Sequence, residues 1–514
     1  MEDNTTMVRT LSKWNLLAIG VGAVIGWSWV IYAGYWSTVP GTLGGVLAFA
    51  VAALLCSLVG LVYAELTSAF PKIGIEESVT FIALGRIPAL IVSWCILYLW
   101  MSFILVEAIM FPIILGNLGF DVPVFGQMFT VMGSPVMFSN VIIAVIINLF
   151  FAVINYRGVK LSGWVQTLAV GFLTLAAIFF CGSGITMGHA SNAQPLFTST
   201  AGLTTVMLMV PGFLSGFHAV PQGIEETNIS PKTVGKLVVY TVIGSALFYI
   251  LIIVGLAFAM PEADRAGEGL VVIQAVGQLF KGSRIAMGFV TFASLLGMLS
   301  TWNAAYIAGS RFLYGLSRAK LLPQTFAVLH PKYRTPKNAI ILMGIVGTLA
   351  PLAGTNSTIY VGLMDIASFG LIITWLLVSV AFIKLRKTNP DLERPYKVPA
   401  GNIIGWAAII FSAAYLFLYT PWGPSGLLPI EWAGVLVILV IAVIIYFAYN
   451  RREGNISYDA QKELLLGEEI ADSLNATEVG AEHAAAAPDA EPAAESMAAA
   501  PDAAESAGDS DQQE

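Results

Sequence analysis

The stretch Gly20-Val21-Gly22-Ala23-Val24-Ile25-Gly26-Trp27-Ser28-Trp29 decides the fold. It lies inside an apolar run long enough to cross a bilayer, which takes about 20 residues. A continuous helix is poorly served by it, because each glycine weakens a helix interior by about 1 kcal/mol relative to alanine. Bare backbone groups in hydrocarbon cost several kcal/mol each, so a broken helix at membrane depth survives only where it lines a cavity inside the protein. A second such stretch is Pro211-Gly212-Phe213-Leu214-Ser215-Gly216-Phe217-His218. The two breaks fall in the first and sixth apolar segments, so each opens a set of five. Paired breaks at corresponding positions predict an inverted repeat with its binding site between them.

Working outward, the 514 residues are 57% hydrophobic and 11% charged, with mean hydropathy +0.79. A soluble domain carries about 25% charged residues, so the composition predicts an all-α polytopic membrane protein. Twelve apolar segments stand at roughly 14–36, 42–69, 88–115, 137–155, 162–186, 202–224, 236–259, 285–315, 338–354, 357–385, 403–420 and 429–449. They are too long for barrel strands, which need about 9–11 residues. The predicted organisation is an N-terminus at 1–13, a first repeat at 14–186, a second at 202–385, two further helices within 403–449, and a tail at 450–514. No small-residue cleavage site follows a short apolar core, so the first run is expected to remain as an anchor.

Charge orients the chain. Twenty-two of the 25 Lys and Arg fall on one side of the alternating segments, and only Arg265, Lys281 and Arg284 fall on the other. By the positive-inside rule both termini are expected in the cytoplasm of a multi-pass cell-membrane protein. The formal charge of -7 hides two unlike parts. Residues 451–514 hold sixteen acids against three bases, net -13, and residues 1–450 hold 22 bases against sixteen acids, net +6. The Ala/Pro/acid-rich tail cannot bury enough apolar area to offset its ordering entropy and is expected to be disordered from about 455.

Further motifs follow in order: Tyr63-Ala64-Glu65-Leu66 through Pro71-Lys72-Ile73-Gly74-Ile75-Glu76, Phe213-Leu214-Ser215-Gly216-Phe217 through Glu225-Glu226, Ser310-Arg311-Phe312-Leu313-Tyr314-Gly315-Leu316-Ser317-Arg318, Pro331-Lys332-Tyr333-Arg334-Thr335-Pro336, and Arg394-Pro395-Tyr396-Lys397-Val398-Pro399. With the glycine-rich first segment, this series resembles the amino acid–polyamine–organocation transporters over about 390 residues. The resemblance implies the leucine-transporter fold, with a 5+5 inverted repeat, broken helices 1 and 6, and alternating access. It implies that a substrate carboxylate meets backbone N–H groups around Gly26, Trp27 and Ser28. The ammonium would meet carbonyls near Val24 and Ile25 and in Gly212, Phe213, Leu214, Ser215 and Gly216, with Phe213 helping to gate. Trp27-Ser28 stands where the family usually has a small residue and glycine. His218 stands where an acid is frequent. The coupling lysine that some members carry in helix 5 has no counterpart in Val170-Gly171-Phe172-Leu173.

Ionisable residues at membrane depth are functional candidates. Glu107 reads as an ammonium contact or proton carrier, or else as a carboxyl hydrogen-bonded to a neighbouring helix. His218 reads as a proton-coupling group or as a packing histidine. Glu65, Glu225 and Glu226 lie near basic-side helix ends and suit gating pairs with loop Arg or Lys. Asp365 reads as structural. Ser294, Ser300 and Thr301 suit a sodium-like site or, more simply, helix–helix contact. Trp27, inside the break, suits a cation–π contact with an amine.

Enzyme signatures are absent: no Walker loop, H-E-x-x-H, G-x-S-x-G or Cys/His cluster occurs. Cys56, Cys95 and Cys181 lie in apolar runs and suggest neither a disulfide nor a metal site. No cofactor, metal or nucleic-acid partner is expected. The expected partners are the bilayer and a small amino acid or amine, carried by proton-coupled symport or exchange. The competing class is a transporter-like sensor that binds such a ligand without net flux.

Overall fold

The computed structural model describes residues 7–117, 124–267, 269–423, 426–453, 456–468, 470–472 and 474. Apolar segments become helices where a cap or a glycine lets the chain stop. Segment 1 starts at Lys13 behind a Ser12–Asn15 capping box, which satisfies otherwise orphaned N–H groups. Segments 6, 7, 8 and 10 start behind Ser199, Ser230, Ser283 and Asn356, each accepting from a backbone N–H of its first turn. Segment 2 (Thr42–Ala69) begins after Gly41 at φ 79°. Segments 3, 4 and 5 are Arg86–Asn117, Phe138–Arg157 and Val159–Met187. Segments 7, 8 and 10 are Pro231–Ala259, Arg284–Arg318 and Ser357–Thr388. Segments 11 and 12 are Gly401–Leu418 and Pro429–Glu453.

Ten of these helices are long and apolar enough to cross a membrane, and the bent pair of segment 1 makes an eleventh, among the described residues. The ninth of the twelve expected segments forms an apolar helix over Lys337–Ala353. Its last turn, Ala350–Ala353, tightens to a 3-10 helix at Pro351. At 17 residues it is shorter than the other ten. The sequence reading also missed a hairpin, Gln127–Val131 with Ser134–Met137, turned by Met132 and Gly133 at φ 47° and 81°. Two successive positive φ values are the type I′ pattern, which suits two-residue hairpins.

The packing has a regular pattern. Segment 2 packs along 7, segment 3 along 8, and segment 4 along 9. Segment 3 also lies on 10, as 8 lies on 5. The first half of segment 1 is enclosed by segments 5, 7 and 8 and by the inner turn of segment 6. Segment 12 is nearly all exposed, with 11% of its apolar window buried in the protein.

Ion pairs tie the basic side. Glu226 is held by Arg311 at 2.9 and 3.2 Å, both side chains fully or almost fully buried. Glu225 is held by Arg318 at 2.6 and 2.7 Å. Burial alone would push the Glu225 carboxyl up, but the Arg318 hydrogen bonds and charge outweigh it and hold it below the ordinary carboxylate range. Glu65 accepts from Arg386, Arg394 and the Val398 amide, tying segment 2 to the connection after segment 10. Leu11, just before segment 1, adds an isolated bridge to Thr227.

Disorder from about 455 does not hold for the first part of the tail. Tyr458–Leu466 is a helix capped by Ser457, with Leu465 and Leu466 buried. Tyr458 stacks on Phe81 at 4.8 Å, and Gln461 donates to the Ala319 carbonyl at 3.1 Å. Ala471 and Leu474 are buried as well. Averaged composition hid this local apolar face among the acids. The expected disorder of 475–514 lies outside the described residues. Fully burying a leucine contributes about 1.5–3 kcal/mol. Ending the chain at Asn455 is therefore expected to lower the melting temperature measurably, whereas ending it at Leu474 is expected to leave it unchanged.

Candidate functional site

Segment 1 is the one helix pair among the described residues bent by more than 40°: Lys13–Val24 and Ser28–Thr38 meet at 54°. The first half ends with the Ile25 N–H bonded to the Val21 carbonyl. The second half starts after Trp27 with no side-chain cap. Uncapped N–H groups at a helix start, together with the helix dipole, favour an anionic group. Tyr249 of segment 7 spans the break: its hydroxyl lies 3.1 Å from the Ser28 hydroxyl and donates to the Val24 carbonyl at 3.0 Å.

Segment 6 loosens without a comparable bend. Thr200–Phe213 gives way at Leu214 to a 3-10 turn, Ser215–His218, and a last α turn, Ala219–Gln222, all within one 23-residue span. Pro211 supplies no N–H, and the Ser215 hydroxyl donates to the Gly212 carbonyl at 2.9 Å. The two interrupted segments touch at Gly216, where an added Cβ would stand 2.3 Å from the Ala23 carbonyl carbon. Backbone cannot yield there as a flexible side chain can. Gly216→Ala is therefore expected to part segments 1 and 6 and to abolish ligand binding, read as loss of the ligand-induced rise in melting temperature.

A cavity of about 930 Å³ lies between the breaks. Of the expected substrate residues, Val24, Gly26, Trp27, Ser28, Glu107, Gly212 and Phe213 line it. Ile25, Leu214, Ser215 and Gly216 do not; all four are buried, and Gly216 packs on the backbone of Ala23. The lining reaches the starts of segments 6, 10 and 12 through Ala201, Tyr360 and Glu431, so the cavity extends toward the side opposite the basic loops.

Glu107 is 4% exposed. Its Oε2 has no hydrogen-bond partner. A buried polar atom left unmatched costs about 1–3 kcal/mol, which a bound ammonium would recover. Sequence reasoning missed much of the rest: Tyr32, Phe103, Tyr360, Tyr419 and Glu431 also line the cavity. Asp365, expected to be structural, is on the wall together with Glu431. The lining contains three carboxyl side chains and no Lys, Arg or His.

His218 is not on the cavity wall. It is fully buried among Glu76, Trp375, Tyr63 and Phe217. Glu225 and Glu226 form the basic-side ion pairs described above, away from the cavity. Ser300 and Thr301 are committed to helix contacts: Ser300 accepts from Gln166 at 3.1 Å, and Thr301 donates to the Gly22 carbonyl at 3.0 Å. Ser294 donates to the carbonyl of Thr291 in its own helix. Among the described residues, no three His, Cys, Asp or Glu are grouped to hold a metal ion.

The sequence profile of a family described as amino acid permease matches residues 11–448. The chain is 27% identical to the branched-chain amino acid permease BcaP of Bacillus subtilis (strain 168), over 88% of this chain and 95% of that protein. It is 26% identical to the methylthioribose transporter of the same organism, over 87% and 94%. It is 24% identical to that organism's glutamate/serine transporter AimA, over 86% and 82%.

Proposed function

Because the chain belongs to the amino acid permease family, a family of membrane transport proteins and not of enzymes, we propose that it carries an amino acid or related amine by alternating access as a secondary transporter. The observation that carries this reading is the cavity between segments 1 and 6, with the Glu107 carboxyl on one wall and the uncapped start of Ser28–Thr38 on another. A carboxylate lodges at the helix start and an ammonium at Glu107. The names of the relatives, branched-chain amino acids and glutamate/serine among them, support a small zwitterion. The three-carboxyl wall favours a substrate with cationic character.

The pairing of segments five apart supports the 5+5 inverted repeat. By the positive-inside rule the shut basic side is cytoplasmic, in the cell membrane, and both termini lie there. The conformation is then outward-facing. Glu225 and Glu226 act as inner gate residues through Arg318 and Arg311. Proton coupling, in symport or exchange, runs through His218.

Thermal shift with a panel of amino acids and amines tests the site, because a ligand of the folded state raises its apparent stability. Wild-type protein is expected to be stabilised by at least one small zwitterion or amine. A panel without any response contradicts the site. Replacing His218 by alanine is expected to flatten the pH dependence of flux, and an unchanged profile removes it as the coupling group.

A further inference from the structure

His218 is bracketed at both ring nitrogens. Trp375 of segment 10 donates its indole N–H to Nε2 at 2.8 Å. Nδ1 lies 3.0 Å from Oε1 of Glu76, on the short helix Ile75–Leu84 between segments 2 and 3. An indole nitrogen only donates, so Nε2 must be the bare, accepting nitrogen. The ring proton is therefore on Nδ1 and points at Glu76. The other Glu76 oxygen accepts from Gln222 at 3.1 Å. All four side chains are fully buried or nearly so.

We propose that Glu76 and Trp375 are positioning residues for the transport step: together they hold His218 in the neutral Nδ1–H form while the basic side is shut, so that opening of that side and proton uptake at Nε2 occur together. The proposal rests on the reading of the protein as an alternating-access transporter and adds to it the place and direction of the proton linkage. As segment 10 withdraws Trp375 from segment 6, Nε2 loses its donor and takes a proton from water. The new imidazolium keeps its Nδ1–H on the Glu76 carboxylate, which becomes its counter-ion. No bond other than N–H forms, and the proton comes from solvent on the open side.

Other ionisable groups lie around the ring. Glu77, next to it, is fully buried with both oxygens unpartnered. Burial, then the charge of Glu76, pushes the Glu77 carboxyl well above the ordinary carboxylate range. Tyr63 of segment 2 meets the His218 ring edge-on at 4.6 Å. The charge of Arg318, from segment 8, reaches Glu77 but is bound by Glu225. Arg311 is bound by Glu226. The docked C-terminal helix, which packs on Ile75–Leu84, brings a buried Lys462. Segments 1 and 7 also pack on the His218 turn; their Lys13, Lys232 and Lys236 stand at the basic-side ends. Tyr249, on segment 7, is committed to the break in segment 1.

The open state holds one proton more than the shut state. Falling pH therefore favours opening, by up to about tenfold in the open/shut ratio per pH unit for one linked proton. Two measurements on full-length protein in detergent test this. The first is 15N NMR of histidine-labelled wild-type protein, which has four His to assign. The expected His218 signature at neutral pH is a protonated Nδ1 and a bare Nε2; a protonated Nε2 overturns the proposal. The second is thiol labelling at Ile224→Cys, a buried basic-side position, with Cys56, Cys95 and Cys181 replaced by alanine. Labelling is expected to rise as pH falls. Trp375→Phe, which leaves Nε2 open to a proton in both states, is expected to make it flat. Glu76→Gln, which removes the counter-ion, is expected to shift the rise to lower pH. A rise unchanged in both variants, provided they melt cooperatively, overturns the proposal, as does a flat wild type. Neither readout needs flux. Failed uptake in proteoliposomes with both readouts intact would overturn the transport reading alone.

Discussion

Glu107→Gln is expected to cut substrate uptake by at least about tenfold, mainly through a raised KM. The substitution keeps the volume of the side chain. What it removes is the charge opposite an ammonium. A hydrogen bond to a charged group contributes about 1.5–3 kcal/mol, or roughly ten- to a hundredfold in affinity. The effect falls on binding because Glu107 lines the cavity. Initial uptake rates over a substrate series measure it. An unchanged KM would leave Glu107 as a carboxyl that merely packs against Trp27.

Arg311→Ala is expected to be the most destabilising single change on the basic side. Its guanidinium and the Glu226 carboxylate are 0% and 1% exposed and joined by two hydrogen bonds. Removing one partner strands the other charge in a buried site and costs about 3–5 kcal/mol. The variant should melt at a distinctly lower temperature and label more readily at Ile224→Cys. Arg311→Met combined with Glu226→Gln strands no charge and is expected to regain most of the melting temperature. It should not regain the closure, because the tie between segments 6 and 8 stays lost. A double variant as unstable as Arg311→Ala would mean that the arginine acts through packing and not through the pair.

The helices were legible because segment length and capping are local. Segment 2 begins and ends at the residues expected, since Gly41 and Pro71 stop it on either side. The bend in segment 1 lies among glycines next to a tryptophan pair, and Val24, Gly26, Trp27 and Ser28 line the cavity. Segment 6 departs from the α-helix through a 3-10 turn, where Gly216 makes the close approach to Ala23. What stayed hidden depends on partners far along the chain. Glu76 lies 142 residues from His218, and nothing in the spacing brings them together. Glu431 opens the last helix after a proline and looks like a first-turn acid, yet it stands with Asp365 on the cavity wall. The C-terminal helix was lost in the average composition of an acidic tail, although Leu465 and Leu466 carry its buried face.

The central claim is that the cavity between segments 1 and 6 carries its ligand across the membrane. Counterflow in proteoliposomes tests it most directly, with labelled leucine, serine, arginine and putrescine as probes. For at least one probe the account predicts saturable uptake, accelerated by the same compound unlabelled inside and reduced at least about tenfold by Glu107→Gln. A probe that raises the melting temperature of the wild type but never crosses the membrane would contradict it and would make the protein a sensor built on a transporter's frame.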